Sequence, residues 1–396
     1  MDERTGTRIG AAVRSARLRR GLSLDVVAGL AGHSKSWLSK VERGLLPLER
    51  RSDLAALADA LQVSVVDLTG QPYDETRETA AAAAVPRLRR SLLDTPDPTL
   101  AGDPDELVSA TEALAELRFR LDLAALGERL PGLIDRLRGT VATASARDRP
   151  RLLRALFVAT HAASATVRNL GYLDLATIAA DQVMHAADEL GDPVWVAASG
   201  FSRGHAVLPS GAFRAAYATT SAAADTATAL PGADARGAAG ALLLVSAVAA
   251  AAAGRTADAQ SRLDAADELA AGDAGETFTT QFSFGPANVA VHRVSVALES
   301  GRPADAVAVA DRIDIGEIPT AERRASYWAD LGRAWAQLDD DERAVAALRR
   351  GEAEAPARVR LNPFVREAVA DMVDRAHRAA VGRELRGLAY RMGLPH

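Results

Sequence analysis

The chain has 396 residues and a formal net charge of −5, a length that accommodates two or three domains, or one domain and a repeat array. It contains no cysteine, which excludes disulfides, zinc ribbons and thiol catalysis. Aromatic residues make up only 4% of the chain while alanine is abundant, and no stretch shows the alternation typical of a strand, so we expect closely packed helices.

The sequence carries no recognisable signal for secretion or membrane insertion. The first residues have no apolar core and do not resemble a signal peptide. The longest uncharged run, between Arg236 and Arg255, is mostly alanine and glycine, which partition poorly into lipid. We interpret this run as a buried repeat helix and expect a cytoplasmic protein without a membrane partner.

Charge is distributed unevenly along the chain. Residues 1–70 carry eleven basic and eight acidic residues, a net of +3, so the remainder carries −8. Five arginines and no acid occur between Arg8 and Arg20, which is either a solvated face or a face that follows a phosphate backbone. A basic N-terminal part on an acidic body is typical of a nucleic-acid-binding domain carried by a non-binding one.

Five short helices are predicted within residues 1–70. Gly21, Gly32 and Gly44 end the first three helices, and Ser23, Ser34 and Ser64 are placed to cap the second, third and fifth. The inward positions at helical spacing are Ile9, Val13 and Ala16, then Val27, Ala28 and Ala31, then Leu38 and Val41, then Leu54, Leu57, Ala58 and Leu61, and finally Val65 and Leu68.

This order of helices and turns resembles the XRE family, the lambda Cro/repressor type of helix-turn-helix. The resemblance runs from about Arg8 to Gly70. The residues that carry it are Gly-Leu-Ser-Leu at 21–24, Ala28, Ala31-Gly32, Ser34, Leu38-Ser39, Glu42-Arg43-Gly44 and the supporting run from Leu57 to Leu68.

The resemblance implies that the third helix enters the major groove of a DNA operator. The chain has 47 basic residues, and its only two lysines, Lys35 and Lys40, fall on this helix; each can donate to a guanine edge or to a phosphate. The family also implies a structural ion pair, here Arg17 with Glu42. The residues predicted to contact DNA are Ser34, Lys35, Ser36, Ser39 and Lys40, with Arg50 and Arg51 following them.

The rest of the chain is predicted to consist of an interrupted segment followed by a repeat array. Residues 71–103 are rich in proline and acidic residues and are predicted to be a linker or hinge with one helix. From residue 104 to 396, a turn followed by an alanine-containing helix recurs with separations of 40, 43, 47 and 38 residues. The recurring turns begin at Gly171, Gly211, Gly254, Gly301 and Asp339, and a final helix pair is expected near 362–378 and 381–392.

This periodicity favours a solenoid of helical hairpins and is similar to a degenerate tetratricopeptide-repeat array. An XRE-type head with such a body is similar in plan to the peptide-sensing quorum regulators of the PlcR and NprR kind. That resemblance implies that the body holds a peptide or small-molecule signal in its groove and mediates homodimerisation. No ligand motif can be carried over residue by residue.

Polar residues on the first helices of the repeats are candidate ligand contacts, although such residues also bridge helices or cap their ends. An aromatic-rich segment at 277–286 is predicted to be a loop that forms a pocket wall. The candidate ligand residues are His161, Asn169, Arg203, Asn288 and His292, with Arg168, His205, Arg293 and Tyr327 as further polar positions of the same kind.

The sequence offers little support for an enzyme. Gly200-Phe-Ser-Arg-Gly204 fits the G-x-S-x-G pattern, but a nucleophile elbow needs a strand before the serine and the run lies within a predicted helix. No metal-binding histidine pattern, P-loop or dinucleotide fingerprint is present, so we expect neither metal nor cofactor. The sequence thus favours an all-α DNA-binding transcriptional regulator. The alternative is an adaptor whose repeats bind a protein partner and whose head targets it to a promoter.

Overall fold

The structure, a computed structural model, describes residues 9–73, 79–379 and 382–394. Within these ranges the regular secondary structure is helical and no strand is present. The α-helices are α1 (Ile9–Arg19), α2 (Leu24–Leu30), α3 (Lys35–Glu42), α4 (Arg51–Leu61), α5 (Val65–Thr69), α6 (Thr79–Ala83), α7 (Val85–Leu93), α8 (Pro104–Glu112), α9 (Leu114–Arg120), α10 (Leu123–Thr143), α11 (Arg149–Asn169), α12 (Leu173–Leu190), α13 (Pro193–Val207), α14 (Phe213–Thr228), α15 (Ala233–Ala252), α16 (Thr256–Ala270), α17 (Thr277–Phe282), α18 (Pro286–Glu299), α19 (Pro303–Ala310), α20 (Ala321–Gln337), α21 (Asp341–Glu354), α22 (Pro356–Arg360), α23 (Pro363–Ala379) and α24 (Arg383–Arg391).

Helices α1–α5 form a small unit with its own core, here called the head (residues 9–70). The predicted serine caps are confirmed: Ser23 accepts from the Val26 backbone N–H, Ser34 from that of Trp37 and Ser64 from that of Asp67. The predicted apolar positions form one buried cluster in the head. These caps fix where α2, α3 and α5 begin, and so they set the orientation of α3.

Helix α1 crosses α3 at very close range. A Cβ atom added to Gly10 would lie 2.0 Å from the carbonyl oxygen of Val41, much closer than any van der Waals contact. Glycine is therefore required at this crossing, although the φ angle of Gly10 is ordinary.

The segment between the head and the repeats is packed rather than open. Helices α6 and α7 contact α10, and Ala81, Val85, Leu88 and Leu92 are buried in the core of the first repeats. Residues 79–103, which the sequence assigned to a hinge, are thus held along α10 by apolar contacts. The proline-rich signal correctly marks an interruption between helices, but the apolar face of α7 packs this segment against the body.

The body (residues 104–394 as described) is a stack of helical hairpins, which confirms the predicted helical-repeat solenoid. Five hairpins are formed by α11–α12, α13–α14, α15–α16, α18–α19 and α20–α21. The five predicted turn positions all have positive φ angles: 90° at Gly171, 89° at Gly211, 75° at Gly254, 70° at Gly301 and 59° at Asp339. A left-handed residue reverses the chain between the helices of each hairpin.

Helix α15 occupies the centre of this stack. Among the described residues it is the one helix whose length and composition would allow it to cross a membrane, and 94% of that stretch is buried inside the body. Neighbouring elements approach it closely, since a Cβ on Gly240 would lie 2.0 Å from the Phe284 ring. This is the packing expected of a core helix, as the alanine-rich run predicted.

The head is held against the body by more than one buried carboxylate. The Ile9 backbone N–H donates to the Glu367 carboxylate at 3.3 Å, and a second contact is centred on Glu299. Glu299, whose side chain is 1% exposed, accepts hydrogen bonds from the Arg51 backbone N–H at 3.2 Å and from the Arg51 guanidinium. Arg333 lies 3.9 Å from the same carboxylate and donates to the backbone carbonyl of Glu49 at 2.8 Å. Phe364 joins the core of the head and lies beneath both guanidinium groups, 5.4 Å from Arg51 and 4.9 Å from Arg333.

Glu49 is half-buried at this junction, and its ionisation is unfavourable there. Burial raises the pKa of its carboxyl group from 4.5 to about 7, against a smaller lowering by the charge of Arg333. A group whose pKa is raised on folding favours the folded state less as it ionises.

We expect Gly10→Ala to destabilise the head, because the added methyl collides with the Val41 carbonyl and α1 must move away from α3. A loss of about 2–4 kcal/mol in the free energy of unfolding is expected, comparable with overpacking of a core. Gly29→Ala is the matched control, since it lies in α2 with no atom within 4 Å of the added Cβ, and it should be neutral or slightly stabilising. Urea unfolding of the two variants decides the point, and equal stability would contradict the assigned crossing.

We also expect Glu49→Gln to alter the pH dependence of stability. The wild-type carboxyl begins to ionise in the unfolded chain near pH 4.5, while in the folded protein it resists ionisation up to about pH 7. Wild type should therefore lose stability relative to Glu49→Gln as pH rises through this window, by on the order of 2 kcal/mol. Denaturant unfolding of both proteins between pH 4.5 and 8 measures this difference, which would be constant with pH if Glu49 were not perturbed.

Candidate functional site

The head presents the N-terminal half of α3 to solvent while its other side faces the body. Ser34, Lys35, Ser36 and Lys40 are exposed and Ser39 is partly exposed. The backbone N–H groups at the start of α3 point the same way, with only that of Trp37 taken by the Ser34 cap in this turn. Exposed hydroxyl, amine and backbone donors on one helix end form a surface suited to phosphate and base edges.

Behind this surface the structure brings Arg17 and Glu42 together. The Arg17 Nε lies 2.6 Å from one Glu42 oxygen and its Nη2 lies 2.8 Å from the other, a bidentate pair that is largely buried. Arg17 also donates to the Leu22 carbonyl at 2.9 Å. The pair ties α1 to the C-terminal end of α3 and so fixes the angle at which α3 is presented.

Lys35 forms an ion pair with Asp25 of α2. Its Nζ lies 2.7 Å from the Asp25 carboxylate, with the two side chains 59% and 63% exposed. A pair this exposed contributes little stability and can open readily. Asp25 therefore holds Lys35 near the start of α3 without removing it from solvent, and it places a negative charge beside the proposed DNA surface.

Arg50 and Arg51 lie at the start of α4. Arg50 binds Asp53 through both oxygens, at 3.2 and 2.9 Å. Arg51 binds Glu299 of the body, as described above, so its guanidinium faces the body rather than the α3 surface. Of the basic run in α1, Arg14, Arg19 and Arg20 are exposed, and Arg8 lies outside the described residues.

A second feature is a cavity of about 170 Å³ between the head and the body, here called the outer cavity. The head contributes Arg51, Leu54 and Val65 to its wall, among others. An adjoining inner cavity of about 90 Å³ lies within the body. The two share their central walls, formed by Arg168, Asn169, His205, His292 and Arg323.

Most of the predicted ligand residues line these cavities. Asn169 and His292 face both, whereas His161 and Asn288 face the inner cavity. Arg203 lies outside and pairs with Asp181 on α12. Two of the further polar positions also lie outside: Arg293 pairs with Asp264 and Asp267 on α16, and the Tyr327 hydroxyl donates to the Ala310 carbonyl at 3.1 Å.

The histidines of the cavity are held in the neutral form. Burial, reinforced by neighbouring arginines, lowers the pKa of His161 and His205 well below 6.5 and that of His292 to about 4. His292 Nδ1 lies 2.8 Å from the Asn288 carbonyl and His161 Nδ1 lies 2.7 Å from Ser202 Oγ. Asn288 lines the inner cavity, and its side-chain oxygen is buried and accepts no hydrogen bond.

Several wall residues were not anticipated from the sequence. Arg118 on α9, Glu322 and Arg323 on α20 and Arg358 on α22 come from distant parts of the chain. Lysine is nearly absent, and arginine occurs throughout the body, so no local pattern distinguishes the inward-facing arginines. Of the predicted aromatic wall, Phe282 lines the inner cavity, whereas Phe278 and Phe284 are buried in the core of the body. Part of the segment is the short helix α17 rather than a loop.

The G-x-S-x-G run marks a close helix crossing. It lies inside α13, where a Cβ on Gly200 would be 2.7 Å from the Ala223 Cβ and one on Gly204 would be 2.2 Å from the Thr220 Cγ2. Ser202 between them is 1% exposed. The glycines thus allow α14 to approach α13, and the serine sits in a helix rather than at the turn that an exposed nucleophile requires.

Comparison with known proteins identifies a helix-turn-helix domain in the head. Residues 8–69 match the sequence profile of a helix-turn-helix domain, a DNA-binding module. A crystal structure of Bacillus thuringiensis PlcR in complex with the peptide PapR7 and DNA is similar over 67% of this chain and 94% of that chain, with 12% identity and a TM-score of 0.31. A TM-score this low does not establish a shared arrangement of helices. No curated protein matches the sequence.

The residues that the structure describes are thus helical throughout their regular secondary structure, and the head contains a DNA-binding helix-turn-helix domain.

We expect Asp25→Asn to strengthen binding to duplex DNA. The change releases Lys35 and removes a negative charge beside the phosphates, so affinity should rise by about 0.5–1 kcal/mol at low salt. Asp188→Asn, an equal change in charge on an exposed position of α12, is the control and should bind as wild type. Fluorescence anisotropy with one fixed duplex measures both, and an Asp25→Asn protein that binds no more tightly than wild type would argue against this placement of Lys35.

Proposed function

We propose that this protein binds an operator through α3, senses a peptide or small-molecule signal in the body and acts as a homodimer. The observation that supports this most directly is that the head has both a solvent-exposed α3 and residues that line the outer cavity. One side exposes α3 to solvent, and the opposite side closes the outer cavity. A ligand in that cavity would contact the head and the body together.

In this proposal Ser34 and the start of α3 receive a phosphate, which places Lys35 and Ser36 over the base edges. Lys40 lies more than one turn further along and contacts either a base or a phosphate. Arg17 and Glu42 contact no DNA and keep α3 at the required angle. Arg50 binds Asp53 through Nε and Nη2, which leaves its Nη1 to reach the DNA backbone, whereas Arg51 reaches it only by leaving Glu299.

The signal acts by changing the population of head positions. A ligand shifts an equilibrium only to the extent that it binds one arrangement better than another. The cavity wall built by Arg51, Leu54 and Val65 exists only when the head is docked, so a ligand in the outer cavity would favour the docked arrangement. Two docked heads in a dimer would have a fixed separation, which selects operators with one spacing of half-sites.

We expect Lys35→Ala to weaken binding to the preferred duplex by about 1–3 kcal/mol and to relax specificity at one base position if Lys35 reads a base. If Lys35 contacts a phosphate instead, binding should weaken on all sequences with a smaller salt dependence. Arg129→Ala, which removes one positive charge from an exposed site on α10, should leave binding unchanged. Titrations at several salt concentrations separate these cases, and wild-type affinity throughout would remove Lys35 from the interface.

The proposal as a whole is tested by selecting bound duplexes from a random DNA pool with the full-length protein. Enrichment of one sequence as two inverted half-sites supports an operator-binding dimer, and light scattering gives the number of copies on the selected duplex. Enrichment of a single half-site would overturn the dimer. Recovery of no preferred sequence would overturn the regulator.

A further inference from the structure

The walls of the two cavities carry an excess of positive charge. Arg168 on α11, Arg323 on α20 and Arg358 on α22 line the outer cavity, and Arg118 lines the inner one. Arg51 and Asp330, the other charged wall residues, are neutralised by Glu299 and Arg333 respectively. Among the residues that the structure describes, this leaves four arginines facing one wall carboxylate, that of Glu322.

Glu322 cannot balance this cluster alone. Arg323 donates to it at 2.7 Å, and the Arg358 Nε lies 3.6 Å away. Despite burial, these positive charges lower the pKa of Glu322 to about 2. Arg118 is held by a neutral partner, the Gln281 amide oxygen, at 2.6 Å.

Arg168 stands out within the cluster. In the described part of the chain its guanidinium makes no hydrogen bond or ion pair, although it lies at the boundary of the two cavities. Burial and the nearby charge of Arg358 lower its pKa to about 10, so it stays charged at neutral pH. Arg168 is partly buried, and a charge withdrawn from water in this way is unfavourable unless an anion compensates it.

Next to the charged groups the outer cavity has an apolar wall. Leu173, Val245, Val248 and Val291 face the same space as Arg168. A guanidinium fork matches carboxylate and phosphate oxygens with two parallel hydrogen bonds, while the valines accept a hydrocarbon chain.

We propose that the cavity binds an organic anion that carries a carboxylate or phosphate group on a short apolar chain. Arg168 receives the acidic group, Arg323 and Arg358 surround it, and the chain lies along Val245, Val248 and Val291. This inference rests on the proposed sensing function and specifies the chemistry of the signal. Because Arg51 and Phe364 line the same outer cavity, the bound anion stabilises the head in its docked position.

The test measures the thermal unfolding midpoint of the full-length protein with chemically matched probes. Octanoate and octyl phosphate carry the acid, and octanamide is the neutral counterpart of octanoate. N-acetyl-Leu-Val-Leu with a free or an amidated C-terminus tests whether the C-terminus of a peptide can supply the acidic group. A compound that binds only the folded protein raises the midpoint, here by roughly 3 °C near saturation. Sodium chloride at equal ionic strength corrects for general salt effects.

We expect at least one acid to raise the midpoint while its neutral counterpart does not. Arg168→Gln should abolish this shift, and without ligand it should be as stable as wild type or more stable, because an unpaired, partly buried charge is removed. Arg203→Gln, on the neighbouring α13 but outside both cavities, should keep the shift. A response to octanoate or octyl phosphate alone identifies a free organic acid as the source, and a response to the tripeptide acid alone identifies a peptide C-terminus.

The proposal is overturned if neutral and acidic probes act equally, if no acid shifts the wild-type midpoint, or if Arg168→Gln keeps the shift. The comparison of acid with amide uses wild type only, so it remains decisive even if Arg168→Gln fails to fold. Binding of the same preparations to the selected duplex distinguishes the two proposals. Tight DNA binding without any acid effect refutes the anion site alone, whereas loss of specific DNA binding refutes the regulator.

Discussion

The buried carboxylate of Glu299 constrains where the head lies on the body. Its side chain is almost fully removed from water, so its negative charge needs a positive partner. Arg51 of the head is the nearest one and donates hydrogen bonds to it. Arg333 stands beside both and reaches the backbone carbonyl of Glu49. Phe364 supports the two guanidinium groups from below. If the head left this position, Glu299 would keep only the more distant Arg333, so undocking requires that water replace Arg51.

This constraint gives the outer cavity its shape. Arg51 is the first residue of α4, and holding it against Glu299 places Leu54 of the same helix on the cavity wall. The side of the head proposed to read DNA and the residues that close the cavity share one core, in which α1 crosses α3 at Gly10 without room for a methyl group.

Features that depend on local chemistry were predictable from the sequence. Glycine at the hairpin turns gave the repeat boundaries because the left-handed backbone there favours glycine, and serine gave the starts of α2, α3 and α5 through side-chain caps. Features that depend on distant residues were not predictable. Arg358 and Arg168 are separated by most of the body sequence and come together only when the hairpins stack. Residues 79–103 were predicted to be a hinge because the sequence does not indicate which helix their apolar face packs against.

The distribution of lysine has a chemical consequence for the docked arrangement. Arginine guanidinium groups are unreactive toward mild acylating reagents at neutral pH, so the chain's side-chain amines are those of Lys35 and Lys40, both on α3 and both exposed. Apart from the α-amino group of the chain, the surface proposed to meet DNA is thereby the part of the protein that an amine-directed dye, crosslinker or acyl donor modifies. The same arrangement that leaves α3 open to a groove leaves it open to covalent labelling, with the rest of the described surface offering no competing lysine.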